Sequence, residues 1–471
     1  MILNSITFLL FFCFILLVLV IATRLTKTAA VSNIILLVAS YYFYGSYSLS
    51  FLLLLLYVTA LTYGFGRVLD RADKRAHKVI ITLDIVLTLL PLLFYKYFEF
   101  LLTNINGVLG THIGSSLGKI LLPVGISFYT FQALTYTLDI YSGKIRSTKN
   151  PIDVALFISF FPTILSGPIE RGRNLLPQIA EKRKLSVEQV MSGLTLFAWG
   201  IFKKVVVADR LGQYVDWAYE TAIYQNGMTL AIASVLYSFQ IYCDFGGYSD
   251  MAIGVARSMG FDMMKNFKFP YLAHSMKEFW RRWHISLTSW FTEYVYFSLG
   301  GSRVKTRIHW AFNISMVFLL SGIWHGAAWN YLLWGALHAT LYLIEYLSGL
   351  QKPELEGKYK AHRLILVFLM ATFAWIFFRV EDMGHAFMIV EKILVNSGGM
   401  FDLGSSAFGT AMSFMMLLIF ICLELLLYHD KINLDDVNNA FTLKNLFFLV
   451  FLLMGISLFS VSSDSFVYFQ F

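Results

Sequence analysis

The chain has 471 residues, 58% of them apolar and only 14% carrying Asp, Glu, Lys or Arg. A soluble domain carries about 25% charged residues, so this composition, with a mean hydropathy of +0.65, excludes an ordinary soluble fold. The formal net charge of +8 sits in loops while the aromatic residues lie in apolar runs, and nucleic acid is therefore not expected as a partner.

At roughly 20 residues per crossing, the apolar supply suffices for about 11 to 13 membrane helices. The first run, 6–22, has no basic residue before it and is followed by Arg24 and Lys27. That is the reverse of a signal peptide's charge order, and it predicts a retained anchor with its amino end outside. Further runs follow at about 31–45, 48–66, 79–102, 118–142, 152–167, 190–208, 228–256, 310–324, 328–349, 363–380, 409–428 and 444–462. No soluble domain, repeat or linker fits between them, so residues 1–471 read as a single polytopic domain. The cysteines Cys13, Cys243 and Cys422 lie in apolar stretches without C-x-x-C spacing. They are expected as small buried hydrophobes, with no disulfide, redox pair or metal site.

Basic residues cluster at 67–78, 144–149, 171–184, 303–307 and 352–363, which the positive-inside rule places in the cytoplasm. Counting crossings from an outside start agrees with this until 152–167. The loops on both sides of that run are basic, and the run itself is only about 16 residues, too short for a comfortable crossing. It also carries Pro162 and Gly167-Pro168. A re-entrant segment is expected, and irregular backbone at membrane depth requires a covering of protein or a water-filled cavity. Two ordinary helices with one violated charge rule is the alternative.

Residues 266–307 are too charged to span and too aromatic for a linker. At 100° per residue, Trp280, Trp283, His284, Leu287 and Phe291 fall within an arc of roughly 100°, with Glu278, Arg281 and Arg282 outside it. One helix along an interface or against the bundle is expected, with His284 in its apolar stripe.

Of the ten histidines, His77, His112, His362 and His429 stand in polar loops, and His274, His309 and His385 near helix ends. His284, His325 and His338 remain. His325 ends an apolar run inside Ser321-Gly322-Ile323-Trp324-His325-Gly326, where an imidazole needs a partner or water and is a functional candidate. Gly322 and Gly326 leave room for a close neighbour or a substrate. A histidine bonded to a backbone carbonyl and a catalytic base both fit. His338 would lie about 220° round and about 20 Å along a continuous helix from His325, and the two meet only if Gly326 or Gly335 breaks that helix. The stretch Gln240 to Asp250 interrupts the 228–256 run with polar groups that need partners. It reads equally as a helix-packing network or a cation site. Metalloprotease, P-loop and nucleophile-elbow motifs are absent.

Several segments resemble, in order, the membrane-bound O-acyltransferases, and among these the bacterial alginate O-acetylase-like branch. They are Leu122-Pro123-Val124-Gly125-Ile126-Ser127-Phe128-Tyr129-Thr130-Phe131-Gln132, Phe161-Pro162 with Ser166-Gly167-Pro168-Ile169, Tyr242-Cys243-Asp244-Phe245-Gly246-Gly247-Tyr248-Ser249-Asp250, Glu278-Phe279-Trp280-Arg281-Arg282-Trp283-His284, and Gly322-Ile323-Trp324-His325-Gly326. The resemblance implies an all-α, polytopic protein, re-entrant segments included, around a central tunnel. It implies catalytic roles for His325 and His284, with Trp324, Asp244, Gln240, Tyr248 and Ser249 as candidates for substrate binding. No bound cofactor is implied. The co-substrate would be an acyl thioester, acetyl-CoA or an acyl-carrier protein, arriving from the cytoplasm. The acyl group, acetyl in the first instance, would pass across a bacterial inner membrane to an exported or cell-wall polysaccharide, directly or through an extracytoplasmic SGNH-like or relay protein. Thr292-Glu293 and Phe297-Ser298 depart from the family's usual wording, which bears on the docking surface or acceptor more than on the reaction. D-alanyl transfer to teichoic acid, and a transporter of a polar lipid or sugar without covalent chemistry, are the competing readings.

Overall fold

The first apolar run folds as α1 (Ile6–Leu25), which Ser5 caps by accepting the Phe8 N–H at 3.1 Å. Its buried residues, Phe8, Phe12, Ile15, Leu19 and Ala22, form one stripe, while Leu10 and Phe14 on the other side are 69% and 63% exposed. A helix apolar on both its packed and its outward face is one that faces lipid. Cys13 and Cys422 lie exposed on such helices and Cys243 is buried, so the expectation of buried cysteines holds only for Cys243. The outward faces are solvated by lipid and can carry a small apolar side chain at no cost.

The computed structural model describes residues 1–111, 120–349, 360–380, 382–396 and 398–461. His112 and most of the basic loop at 352–363 lie outside the described residues. The described residues are helical with no strand, and seven of their helices are long and apolar enough to cross a membrane. Other expected runs form helices that are shorter or more polar. The chain clusters into two compact units, one of residues 1–197, 249–264 and 434–442, the other of 198–248, 265–433 and 443–471.

The first unit contains α1 and α2 (Ala30–Gly45), α3 (Leu49–Arg71), α4 (Lys74–Leu109), α5 (Ile126–Tyr141), α6 (Pro151–Ser159) and α7 (Gly172–Ala180), with most of α8 (Val187–Ile201). In α5 every residue from Ile126 to Thr137 is buried, the mark of a helix enclosed on all sides. The α6 helix has nine residues, roughly 14 Å at 1.5 Å per residue and less than half a bilayer core. It gives way at Phe160 to a buried non-helical stretch that runs to Glu170, where Pro162 and Pro168 deny helical hydrogen bonds. Side chains supply what that backbone lacks. The Phe161 N–H donates to Ser40 Oγ at 3.1 Å, and Gln132 Nε2 donates to the Phe157 carbonyl. The Glu170 N–H donates to Gln132 Oε1 at 3.3 Å. Gly125 serves the same segment, since its φ is +76° and a Cβ there would stand 2.3 Å from the Ile164 carbonyl oxygen.

The second unit begins as α8 passes through a π-helical stretch, Phe202–Ala208, into α9 (Asp209–Glu220). It continues with α10 (Gly227–Ser258), α11 (Met276–Arg282), α12 (Ile285–Phe291), a second π-helical stretch at Thr292–Tyr296, α13 (Arg307–His325), α14 (Trp329–Leu347), α15 (Lys360–Arg379), α16 (Met383–Val395), α17 (Ala407–Tyr428) and α18 (Leu443–Phe459), with the last part of α10 belonging to the first unit. The α13 and α14 helices approach closely because glycines face backbone. A Cβ at Gly322 would stand 2.3 Å from the Tyr331 carbonyl oxygen, and one at Gly335 2.5 Å from that of Phe318.

Candidate active site

The single helix expected through 280–291 is two helices. The break falls at His284, which takes φ 42° and ψ 53°, a left-handed conformation costly for a side chain of this size. An extended segment beside it holds the break open by taking the freed backbone groups. The Ile285 N–H donates to the Asn266 carbonyl at 2.8 Å, the Lys268 N–H donates to the Arg282 carbonyl at 3.0 Å, and Ser286 Oγ donates to Asn266 Oδ1 at 2.6 Å. Periodicity placed His284 on the buried side correctly, and it is 1% exposed. It could not show the break, because the residues that stabilise it lie in the preceding loop.

His325 is the last residue of α13, and the chain turns at Gly326 before α14 begins at Trp329. Its imidazole is 3% exposed. The ring centroids of His325 and His284 are 6.2 Å apart, and Trp324 lies 5.0 Å from the first and 5.9 Å from the second. Phe245 on α10 meets His284 edge to face at 4.6 Å, while Trp334 and Phe378 pack on His325 at 5.1 and 5.2 Å. Two histidines separated by forty residues of sequence thus share one aromatic chamber.

The space beside Gly322 and Gly326 is filled by protein. A Cβ on Gly326 would fall 2.1 Å from the Tyr331 ring, so Gly322 and Gly326 admit α14 rather than open a way for substrate. The turn at Gly326 also supplies the condition under which His338 approaches. Trp334 lies 5.1 Å from His325 and 4.8 Å from His338, and Trp280 meets His338 at 4.8 Å.

The polar interruption of α10 divides between two settings. Asp244 Oδ1 accepts from Lys204 Nζ at 2.5 Å, and Lys204 also meets Asp209 Oδ1 at 2.7 Å, with all three side chains 2–3% exposed. A buried lysine bridging carboxylates on two helices fits the helix-packing network among the two readings of this stretch. Asp244 neighbours Phe245 in sequence, so the network adjoins the histidine chamber along α10. Gln240 lies against Gly212, where its Nε2 would be 2.8 Å from a Cβ. Tyr248 is 1% exposed, and Ser249 is buried on the part of α10 that belongs to the first unit. Lys204 and Asp209 were not singled out in the sequence. Lys203-Lys204 within an apolar run was the available signal, since cations at such depth need carboxylates.

Residues 36–381 match the model of the MBOAT, membrane-bound O-acyltransferase family. The chain belongs to this family. It is similar to the probable alginate O-acetylase AlgI of Pseudomonas aeruginosa, 38% identical over 369 residues that cover 77% of this chain and 69% of that protein. The corresponding protein of Azotobacter vinelandii is 36% identical over 80% of this chain and 75% of its own length. A peptidoglycan O-acetyltransferase of Helicobacter pylori is 32% identical, over 77% and 74% respectively. This family member is accordingly a multi-pass membrane acyltransferase.

Proposed function

We propose that the chain transfers an acyl group, acetyl in the first instance, from a cytoplasmic thioester to hydroxyls of an exported or cell-wall polysaccharide, with His325 and His284 as the reacting pair. The observation that carries this reading is the 6.2 Å approach of the two buried imidazoles. In the step envisaged, the acceptor hydroxyl oxygen attacks the thioester carbonyl carbon while the His325 imidazole takes the hydroxyl proton, as an imidazole does readily near neutral pH. The tetrahedral intermediate then collapses, the C–S bond breaks, and the thiolate takes the proton from His325. Products are an O-ester and a free thiol, and no other reactant is needed. In this reading His284 donates a hydrogen bond to the developing oxyanion. The names of the relatives, alginate O-acetylase and peptidoglycan O-acetyltransferase, support a polysaccharide acceptor, and the shared aromatic chamber excludes bulk water that would hydrolyse the thioester.

The test follows radiolabel from an acyl thioester into alkali-labile esters on extracytoplasmic glycan. His325→Ala is expected to reduce transfer about 10²- to 10⁴-fold, the usual contribution of a general base, with the protein still present in the membrane. Near-normal transfer by that variant would remove His325 from the mechanism, and its disappearance from the membrane would favour a structural role.

A further inference from the structure

A cavity of 260 Å³ opens in the second unit between α10, α15, α17 and the short turn Pro270–Leu272. The local sequence makes room for it. Phe269 takes φ 50° and ψ 60°, and Pro270 follows it, so this part of the chain forms a three-residue 3₁₀ turn where a longer helix would fill the space.

The lining is hydrocarbon. Among the described lining residues Glu424 alone is charged, and its carboxylate accepts from Tyr242 Oη. The other phenol in the wall, Tyr271, donates to the Ser238 carbonyl at 2.6 Å. With these polar tips engaged, the rings of Tyr242 and Tyr271 join Phe239, Phe368 and Ile421 in an apolar surface. At the mouth, Ile365 and Leu425 are 55% and 39% exposed, and Leu366, Leu369 and Leu418 continue the exposed apolar faces of α15 and α17. Both helices are long and apolar enough to cross a membrane. The groove therefore opens sideways into lipid.

Its rim is charged. The α15 helix follows the basic run at 352–363, which puts this end of the groove at the cytoplasmic leaflet. Phe269 meets Tyr428, the last residue of α17, edge to face at 5.3 Å, and so brings Lys268 and His429 to one rim. Both are exposed, as are Lys431 and, in the first turn of α15, His362. Asp430 is exposed beside them, but the basic side chains outnumber it, and cations at this level attract anionic headgroups.

We infer that the groove seats one acyl chain of an anionic phospholipid of the cytoplasmic leaflet, with the phosphate at Lys268 and Lys431. The lipid is retained by the protein and is not transferred. Tyr242 and Tyr271 form the inner side of the groove and pack on Trp283 at 6.2 and 6.1 Å, so the chain lies behind the wall of the histidine chamber. The inference is independent of the acyl-transfer reading, since it concerns the outward side of that wall.

The experiment strips the purified full chain of lipid in detergent and measures its binding of phosphatidylglycerol, phosphatidylethanolamine and chain-free glycerol 3-phosphate, by lipid retained per protein and by the rise in thermal midpoint that a bound ligand produces. Wild type is expected to retain phosphatidylglycerol in preference to phosphatidylethanolamine and to gain nothing from glycerol 3-phosphate. Leu425→Trp blocks the mouth from a lipid-facing position where an indole is tolerated, and should melt like wild type in detergent alone. It should bind phosphatidylglycerol about tenfold or more weakly, the effect of displacing two or more methylenes from the groove. Lys268→Gln/Lys431→Gln should still bind lipid but lose the preference for phosphatidylglycerol. Equal phosphatidylglycerol binding by wild type and Leu425→Trp would overturn the inference, as would a wild type that retains no phosphatidylglycerol. Protection by glycerol 3-phosphate equal to that by phosphatidylglycerol would show a phosphate site without a seated chain and overturn it too. An unchanged headgroup preference in the rim variant would overturn the assignment of the phosphate to Lys268 and Lys431.

Discussion

At the residue scale, the histidine pair was legible and its surroundings were not. His325 stood out because an imidazole inside an apolar run needs a reason, and His284 because it fell in an aromatic stripe. The pairing of the two comes from α13 ending at His325 and from the left-handed turn at His284, and the turn depends on Asn266, eighteen residues upstream. The Lys204 cluster was hidden for a similar reason, since its two carboxylates lie on α9 and α10. Lys204 is 2% exposed in its side chain and lies between Asp209 and Asp244 at 2.7 and 2.5 Å. Removing the cation of a buried ion pair costs about 3–5 kcal/mol, because charge remains in a poorly solvated place. Lys204→Met is therefore expected to lower the thermal midpoint of the detergent-solubilised protein sharply and to reduce its amount in the membrane. Unchanged stability would show that the cluster contributes nothing to the fold.

At the scale of elements, the apolar runs predicted most helices to within a few residues, for example α1, α2 and α17. The break after α6 was legible from Pro162 and Gly167-Pro168. How its backbone is satisfied was not, because Gln132 and Ser40 lie on helices far away in sequence. Glu170 closes that segment and carries a testable charge. Burial pushes its carboxyl up to about 7, against the Met264 and Arg171 N–H bonds and the Arg171 charge that pull it down, while Asp262 adds to the rise. A carboxyl whose folded pKa lies above its unfolded value favours folding when protonated. Its contribution is full below about 4.5 and is lost as the pH rises through about 7. Wild type should accordingly melt at progressively lower temperature between pH 5 and pH 8, and Glu170→Gln should flatten that dependence. Equal slopes in the two proteins would contradict a buried protonated carboxyl.

At the scale of the whole molecule, charge carries the orientation. Basic loops at 67–78, 144–149 and 171–184 all belong in the cytoplasm only if the segment between the last two returns to the side it left. The nine residues of α6 and the irregular stretch after it agree with such a return. Single cysteines at positions 146 and 182, in a background without Cys13, Cys243 and Cys422, should both be shielded from an impermeant reagent in intact cells and react after permeabilisation. Labelling of either from outside would sink this topology.

The proposed donor is cytoplasmic and the proposed acceptor is outside, so on this reading the chain carries an acyl group from one face of the membrane to the other. Among the described residues no segment between the helices offers an extended sugar-binding cleft, and an exported partner is proposed to present the polymer or relay the acyl group. The most direct test uses sealed liposomes containing the purified chain, with radiolabelled acyl thioester enclosed and the glycan outside together with the exported proteins of the producing cell. Wild type should place label on glycan hydroxyls as alkali-labile ester, and His325→Ala should place almost none. Equal labelling by the two proteins, or consumption of the thioester with no acyl group ever leaving the lumen, would contradict the account.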